Sequence, residues 1–154
     1  MTVTVVFFLI VLIADQVTKS AVTSRLPEGA ATAATLYGVR FRHVVNRRSP
    51  WKSKVALGWM TPALLLFTTV ASAVSVFMES PLMYAGLGAL VGGAAGNLAD
   101  GFQRNAVTDF IDLRVWPVFN VADAAIVAGA AAMLWELTRF SLNALPPSPI
   151  PTWR

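Results

Sequence analysis

The chain has 154 residues, a net charge of +4, and a composition that is 56% hydrophobic and only 13% charged. A soluble domain carries about 25% charged residues, so too little polar surface is present to coat one, and the length allows a single membrane-embedded domain. The absence of cysteine excludes disulfides, thiol nucleophiles and cysteine-based metal sites. A lone histidine, His43, argues against a histidine metal cluster or a Ser-His-Asp triad.

Residues 2–22 open with the apolar run VVFFLIVLIA and continue into DQVTKSAV. With no basic leader or small-residue cleavage site, this reads as a retained span. Asp15 and Lys19 fall four residues apart on one helical face and can pair. They either neutralise each other near the interface or help to shape a site.

Residues 23–54 form the one long connection. Arg25, Arg40, Arg42, Arg47, Arg48, Lys52 and Lys54 face a single acid, Glu28. Its middle, ATLYGVRFRHVV, alternates enough to predict short strands at the membrane surface. Such a basic, Trp-containing cap suits anionic lipid head groups rather than nucleic acid, with Trp51 beside Pro50 as an interfacial anchor. His43 is expected to be exposed or interfacial there.

A second span is predicted over 55–78, with Pro62 near its start or at a kink, and a third over 82–100. In the third, Gly88, Gly92 and Gly96 recur in small-xxx-small spacing that lets a neighbouring helix approach, while Gly93, Asn97 and Asp100 occupy an adjacent face. Residues 101–117 read as a plain connection. The fourth span covers 118–140, with Asn120 and Asp123 just inside its start. Residues 141–154, with four prolines, form a Pro-rich tail that cannot continue a helix. The fold class is therefore an all-α membrane protein with four transmembrane helices and a small, partly β-stranded extramembrane cap. Four spans put both termini on one side, and both polar clusters on the other.

The stretch 96–126 holds four aspartates (Asp100, Asp109, Asp112, Asp123) and three asparagines (Asn97, Asn105, Asn120). Ionisable groups at or in the hydrocarbon are costly unless they pair, line a wet cavity or do chemistry. Two carboxylates close to one water share a proton, so that one acts as base and the other as acid, which is the equipment of an aspartyl peptidase and needs no metal or cofactor. Asp109 and Asp123 are the expected pair, since folding back can join the end of the connection to the first turn of the next helix. From the residues alone, a proton or ion pathway and purely structural pairing stay open.

Four ordered pieces, DQVTK (15–19), GNLAD (96–100), VTDFIDL (107–113) and FNVADAAI (119–126), resemble the lipoprotein signal peptidases, signal peptidase II. The resemblance implies a four-span aspartyl endopeptidase of the cell membrane that removes signal peptides from diacylglyceryl-modified prolipoproteins, cutting just before the lipidated cysteine. It also implies catalysis by Asp109 and Asp123, with Asn46, Asn97, Asp100, Asn120, Asp15 and Lys19 supporting the site or binding substrate. Asp112 and Asn105 are left as interfacial residues. Its termini would be cytoplasmic and its site extracytoplasmic, against the positive-inside tendency of the basic first connection. The chain departs from the family in three places. Asn46 is followed by RRSPW instead of a small-residue loop, Gly101 stands where an Arg is usual with Arg104 three residues on, and Asn105 replaces a glycine. A diverged homologue that binds lipopeptides without cleaving them is the alternative these departures raise.

Overall fold

The computed structural model describes residues 1–33, 38–47 and 54–144, and the side chains of these except 54–61 and 78. In chain order the elements are α1 (Thr2–Arg25), β1 (Arg40–Asn46), α2 (Lys54–Met78), α3 (Pro81–Arg104), β2 (Val107–Asp112) and α4 (Val121–Asn143). The expectations for Arg48, Pro50, Trp51, Lys52 and the tail beyond 144 lie outside the described residues.

Three helices, α1, α3 and α4, are long and apolar enough to cross a membrane, and the apolar stretch described within α2, Pro62–Phe77, is shorter. At about 1.5 Å per residue, the 24 residues of α1 reach about 36 Å, a little more than the hydrocarbon thickness of about 30 Å. Its apolar side chains, such as Val5, Ile10, Ile13 and Val17, are more than half exposed, whereas Asp15 and Lys19 are fully buried. That inversion is what a lipid solvent selects: apolar groups face out, and charged groups turn inward to find partners.

α3 is the central helix, packed against α1 on one face and α4 on the other. The expected glycine face does pack, and it does so against α1. A β-carbon on Gly92 would lie 2.7 Å from the carbonyl oxygen of Phe8. The opposite face meets α4 just as closely, since a β-carbon on Gly93 would stand 2.5 Å from the carbonyl oxygen of Ala122. Backbones at such separation gain dispersion contacts that lipid cannot match. α2 joins through a small cluster in which Ala71 meets Met83, Leu87 and Met133.

α3 begins with Ser80, whose hydroxyl accepts from the Met83 N–H, followed by Pro81 in the first turn, and it stops where Asn105 adopts φ 52°, as helix ends commonly do. It runs to Arg104, one turn beyond the predicted end at Asp100, so Gly101 and Arg104 are helical. The 101–117 connection also proves not to be plain. Its residues 107–112 form β2, which pairs antiparallel with β1, Val44 opposite Asp109 and Asn46 opposite Val107, with a register shift between Phe41 and Val44. The cap is thus a two-stranded cradle with one strand drawn from the first connection and one from the third. His43 is buried rather than exposed, at 7%, because its Nδ1 sits 2.7 Å from the Leu26 carbonyl oxygen below the turn that follows α1.

α4 starts three residues later than expected. Asn120 lies outside the helix as its N-cap, accepting from the Asp123 N–H, while the Asp123 carboxylate accepts from the Asn120 N–H. This reciprocal capping satisfies two backbone donors that would otherwise be stranded at the membrane edge.

Candidate active site

The site forms where the ends of α1, α3 and α4 meet the cradle. Lys19, on the last turns of α1, sits at its base. Its Nζ lies 2.7 Å from Asp15 Oδ2 and 3.2 Å from Asp100 Oδ2, and it donates to Asn97 Oδ1 at 3.0 Å. Asp15 also reaches across to α4, accepting from the Ala122 N–H at 2.9 Å. The buried Lys19–Asp15 pair therefore joins three helices, the lysine reaching α3 and the aspartate α4. Asp15 and Lys19 do pair, but not with each other alone: both belong to a wider network that reaches Asp100, Asn97 and Ala122.

Asp100 carries a second cation and a strand. Its Oδ1 meets Arg104 Nη1 at 2.7 Å, and its Oδ2 accepts from the Thr108 backbone N–H at 3.1 Å. Arg104, one helical turn after Asp100 and partly exposed, thus holds a carboxylate that in turn holds the strand bearing Asp109. Gly101, the departure noted after GNLAD, leaves this contact in place.

Asn97 and Asn120 transmit the network upward. The Asn97 oxygen, engaged by Lys19, also accepts from Asn120 Nδ2 at 3.2 Å, which fixes its amide so that Nδ2 donates to Asp123 Oδ1 at 2.8 Å. Asn120 touches both aspartates. Its Nδ2 donates to Asp109 Oδ1 at 2.9 Å, and its backbone N–H donates to Asp123 Oδ2 at 3.2 Å. Asn46, at the end of β1, completes the shell by donating from Nδ2 to Asp109 Oδ2 at 3.2 Å. All eight sequence-predicted residues, Asp15, Lys19, Asn46, Asn97, Asp100, Asp109, Asn120 and Asp123, are therefore linked by hydrogen bonds and ion pairs, and the altered residues after Asn46 do not remove its contact with Asp109.

The carboxyl of Asp109, on β2, is pushed up from its ordinary 3.8 to about 6. Burial is the main cause and the nearby Asp123 carboxylate adds to it, while hydrogen bonds from Asn46 and Asn120 and the Lys19 charge pull the other way. A carboxyl that keeps its proton close to neutral pH beside a second carboxylate can divide acid and base roles between the two. Among the described residues, no group of three or more His, Cys, Asp or Glu side chains is arranged to hold a metal ion.

Next to Asp123 an apolar groove of about 400 Å³ runs along α4, lined by Leu113, Trp116, Phe119, Ala124, Val127 and Ala128 among others. Asp112 faces away from the aspartate pair, buried against Arg40 at 2.7 Å and accepting from the Arg114 N–H, so that Arg40 first and that N–H second hold its carboxyl below the ordinary range. Sequence reasoning passed over Gln16, which donates to the Gly96 carbonyl oxygen at 3.1 Å. Its place beside Asp15 in DQVTK was the available signal. Also missed was Glu136, buried in α4 and paired with Arg139 at 3.4 Å, an acid and a base three residues apart in an otherwise apolar helix.

Residues 7–139 match the profile of the signal peptidase (SPase) II family. The chain is 34% identical over 137 residues to the lipoprotein signal peptidase of Pelotomaculum thermopropionicum, covering 83% of this chain and 86% of that one. It is 33% identical over 129 residues to that of Syntrophomonas wolfei, covering 82% and 87%. In fold it is similar to a bacterial membrane enzyme solved by the in meso method at 1.9 Å, with a TM-score of 0.75 and 20% identity over 89% of this chain and 93% of the other. A multi-pass membrane architecture, the four ordered motifs gathered at one end of the helices, and these similarities lead to one conclusion: the chain belongs to the signal peptidase II family of membrane proteases.

Proposed function

We propose that this protein is an aspartyl endopeptidase that cleaves diacylglyceryl-modified prolipoproteins just before the lipidated cysteine, with Asp109 and Asp123 as its catalytic pair. The observation that carries the reading is the bridging of the two carboxylates by Asn120, side chain to Asp109 and backbone to Asp123. Burial favours the neutral form of Asp109, so Asp109 holds the shared proton and Asp123 is the base. Asp123 takes a proton from water as the water oxygen attacks the scissile carbonyl carbon, and Asp109 gives its proton to the carbonyl oxygen. Collapse of the tetrahedral intermediate returns that proton to Asp109, breaks the C–N bond and transfers the Asp123 proton to the leaving amine.

Asn46, Asn97, Asp100, Asn120, Asp15 and Lys19 act through the pair, orienting it and balancing its charge. The apolar groove along α4 takes an apolar part of the substrate, the signal-peptide chain or an acyl chain. The site faces the extracytoplasmic side with both termini in the cytoplasm, since a secreted precursor presents its cleavage point at the outer surface. The basic residues of the first connection then meet anionic phospholipid head groups there.

The test is incubation of the purified full chain with a diacylglyceryl-modified prolipoprotein. Cleavage before the cysteine is expected, with a loss of about a thousandfold or more in both Asp109→Asn and Asp123→Asn. Full activity in either variant, or no cleavage by the wild type, refutes the assignment. A reporter fused after Arg154 should signal cytoplasm, and an external signal overturns the orientation.

A further inference from the structure

Behind the strand that carries Asp109 lies a second groove, about 330 Å³, between the last turns of α1 (Thr18, Ala21, Val22, Arg25) and the back of the cradle (Phe41, Phe110). Side chains alternate across a strand, so while Asp109 points into the site, its neighbour Phe110 forms the floor of this groove on the opposite face. Phe110 is buried and Phe41 is 43% exposed, and their tilted rings stand 6.3 Å apart. The volume falls within the range of about 300–1,000 Å³ typical of small-molecule sites, and the lining is almost wholly apolar.

Arg25 supplies the polar end. It lies six residues beyond Lys19, hence about 9 Å further along α1, at the C-terminal end of a helix longer than the hydrocarbon is thick. Its side chain is exposed, and among the described residues no carboxylate forms an ion pair with it. Glu28 is the only acid between residues 16 and 78, and both its oxygens are taken by Arg47, at 2.6 and 2.9 Å. A guanidinium at the end of a membrane-length helix, with no carboxylate partner among the described residues and an apolar trough below it, is complementary to a lipid phosphate with an acyl chain beneath.

We propose that this groove binds one anionic phospholipid, its acyl chain along Ala21, Val22, Phe41 and Phe110 and its phosphate at Arg25. The bound lipid braces the catalytic strand from behind. The binding does not depend on the peptidase reading, because lipid retention can be measured without substrate.

The experiment is native mass spectrometry of the full chain in detergent micelles, with phosphatidylglycerol or phosphatidylcholine of identical acyl chains added. The wild type is expected to retain one phosphatidylglycerol, favoured over phosphatidylcholine by about fivefold, the effect of one basic residue at a membrane surface. Arg25→Gln should abolish the preference and Arg25→Lys keep it. Ala21→Trp should fill the trough and reduce retention with Arg25 intact, and Phe41→Ala, which leaves α1 untouched, should also weaken it. Equal retention of the two lipids by the wild type overturns the proposal, as does an unchanged preference in Arg25→Gln. Unchanged retention in both groove variants overturns it too. Displacement of the retained phosphatidylglycerol by a diacylglyceryl-modified peptide would show the groove to be a substrate site instead.

Discussion

Replacing Lys19 by Met removes the one cation that holds α1, α3 and the base of the site together, while keeping most of the side chain's volume. The lysine is fully buried and contacts Asp15 at 2.7 Å, Asp100 at 3.2 Å and Asn97 at 3.0 Å. Among the described residues, Asp15 without it keeps only hydrogen bonds, from the Ala122 N–H and Gln16, and Asp100 keeps Arg104 as its sole counter-charge. Breaking a buried ion pair from one side costs about 3–5 kcal/mol, because the partner's charge stays buried. For a chain of this size each kcal/mol moves the melting temperature by about 2–4 °C, so a fall of about 10 °C is expected. Thermal unfolding in detergent, followed through the fluorescence of the chain's five tryptophans, measures it. Adding Asp15→Asn to Lys19→Met removes one stranded charge and keeps an oxygen for the Ala122 N–H, so it should recover about 1–3 kcal/mol of the loss. A Lys19→Met protein that melts with the wild type, or a double variant less stable than the single, refutes the view that compensation of buried carboxylates is what Lys19 supplies.

Other predictions concern the same neighbourhood. Gly96→Ala places a β-carbon 2.5 Å from Asp15 Oδ2; relieving that clash should cost about 1–3 kcal/mol, read from the melting curve, and lower cleavage by displacing Asp15 from Ala122. Asp109 titrates near 6 in the folded chain but ordinarily at 3.8, so between about pH 4 and 6 the folded state holds a proton that the unfolded state has released. Stability should therefore fall as pH rises through that window and level off above it, a slope that Asp109→Asn removes; identical slopes in the two proteins would contradict the raised value. Because the hydrogen bond from Asn46 holds the Asp109 carboxyl down, Asn46→Ala should shift the alkaline limb of the cleavage profile to higher pH, and a shift to lower pH would reverse the argument. The limb reports the coupled pair rather than one residue.

The site was more legible than the folding that builds it. Asp109, Asp123 and the asparagines that contact them stand out because polar groups in an apolar chain are expensive, and the cost marks them wherever the chain folds. The partner of β1 was hidden because the pairing of Val44 with Asp109 joins segments 65 residues apart, and local alternation says only that a strand wants a partner. Asn120 was misplaced inside α4 because hydropathy runs smoothly through Val118 and Phe119, whereas the helix start is set by the reciprocal bonds between Asn120 and Asp123. His43 was judged by its basic neighbours, but the turn after α1 covers it.

By itself the sequence determined that the chain lives in a membrane and that its small-residue helix is packed by others, and it marked a few aspartates and asparagines as candidates for its chemistry. Those conclusions follow from composition and spacing, which fix transfer costs and helix faces before any contact forms. Only the tertiary structure decided that one lysine bonds to Asp15, Asn97 and Asp100 together, that one asparagine touches both carboxylates, and that an apolar groove lies behind the strand that carries Asp109. Such contacts depend on how distant segments meet, and distance in space is not written in order along the chain.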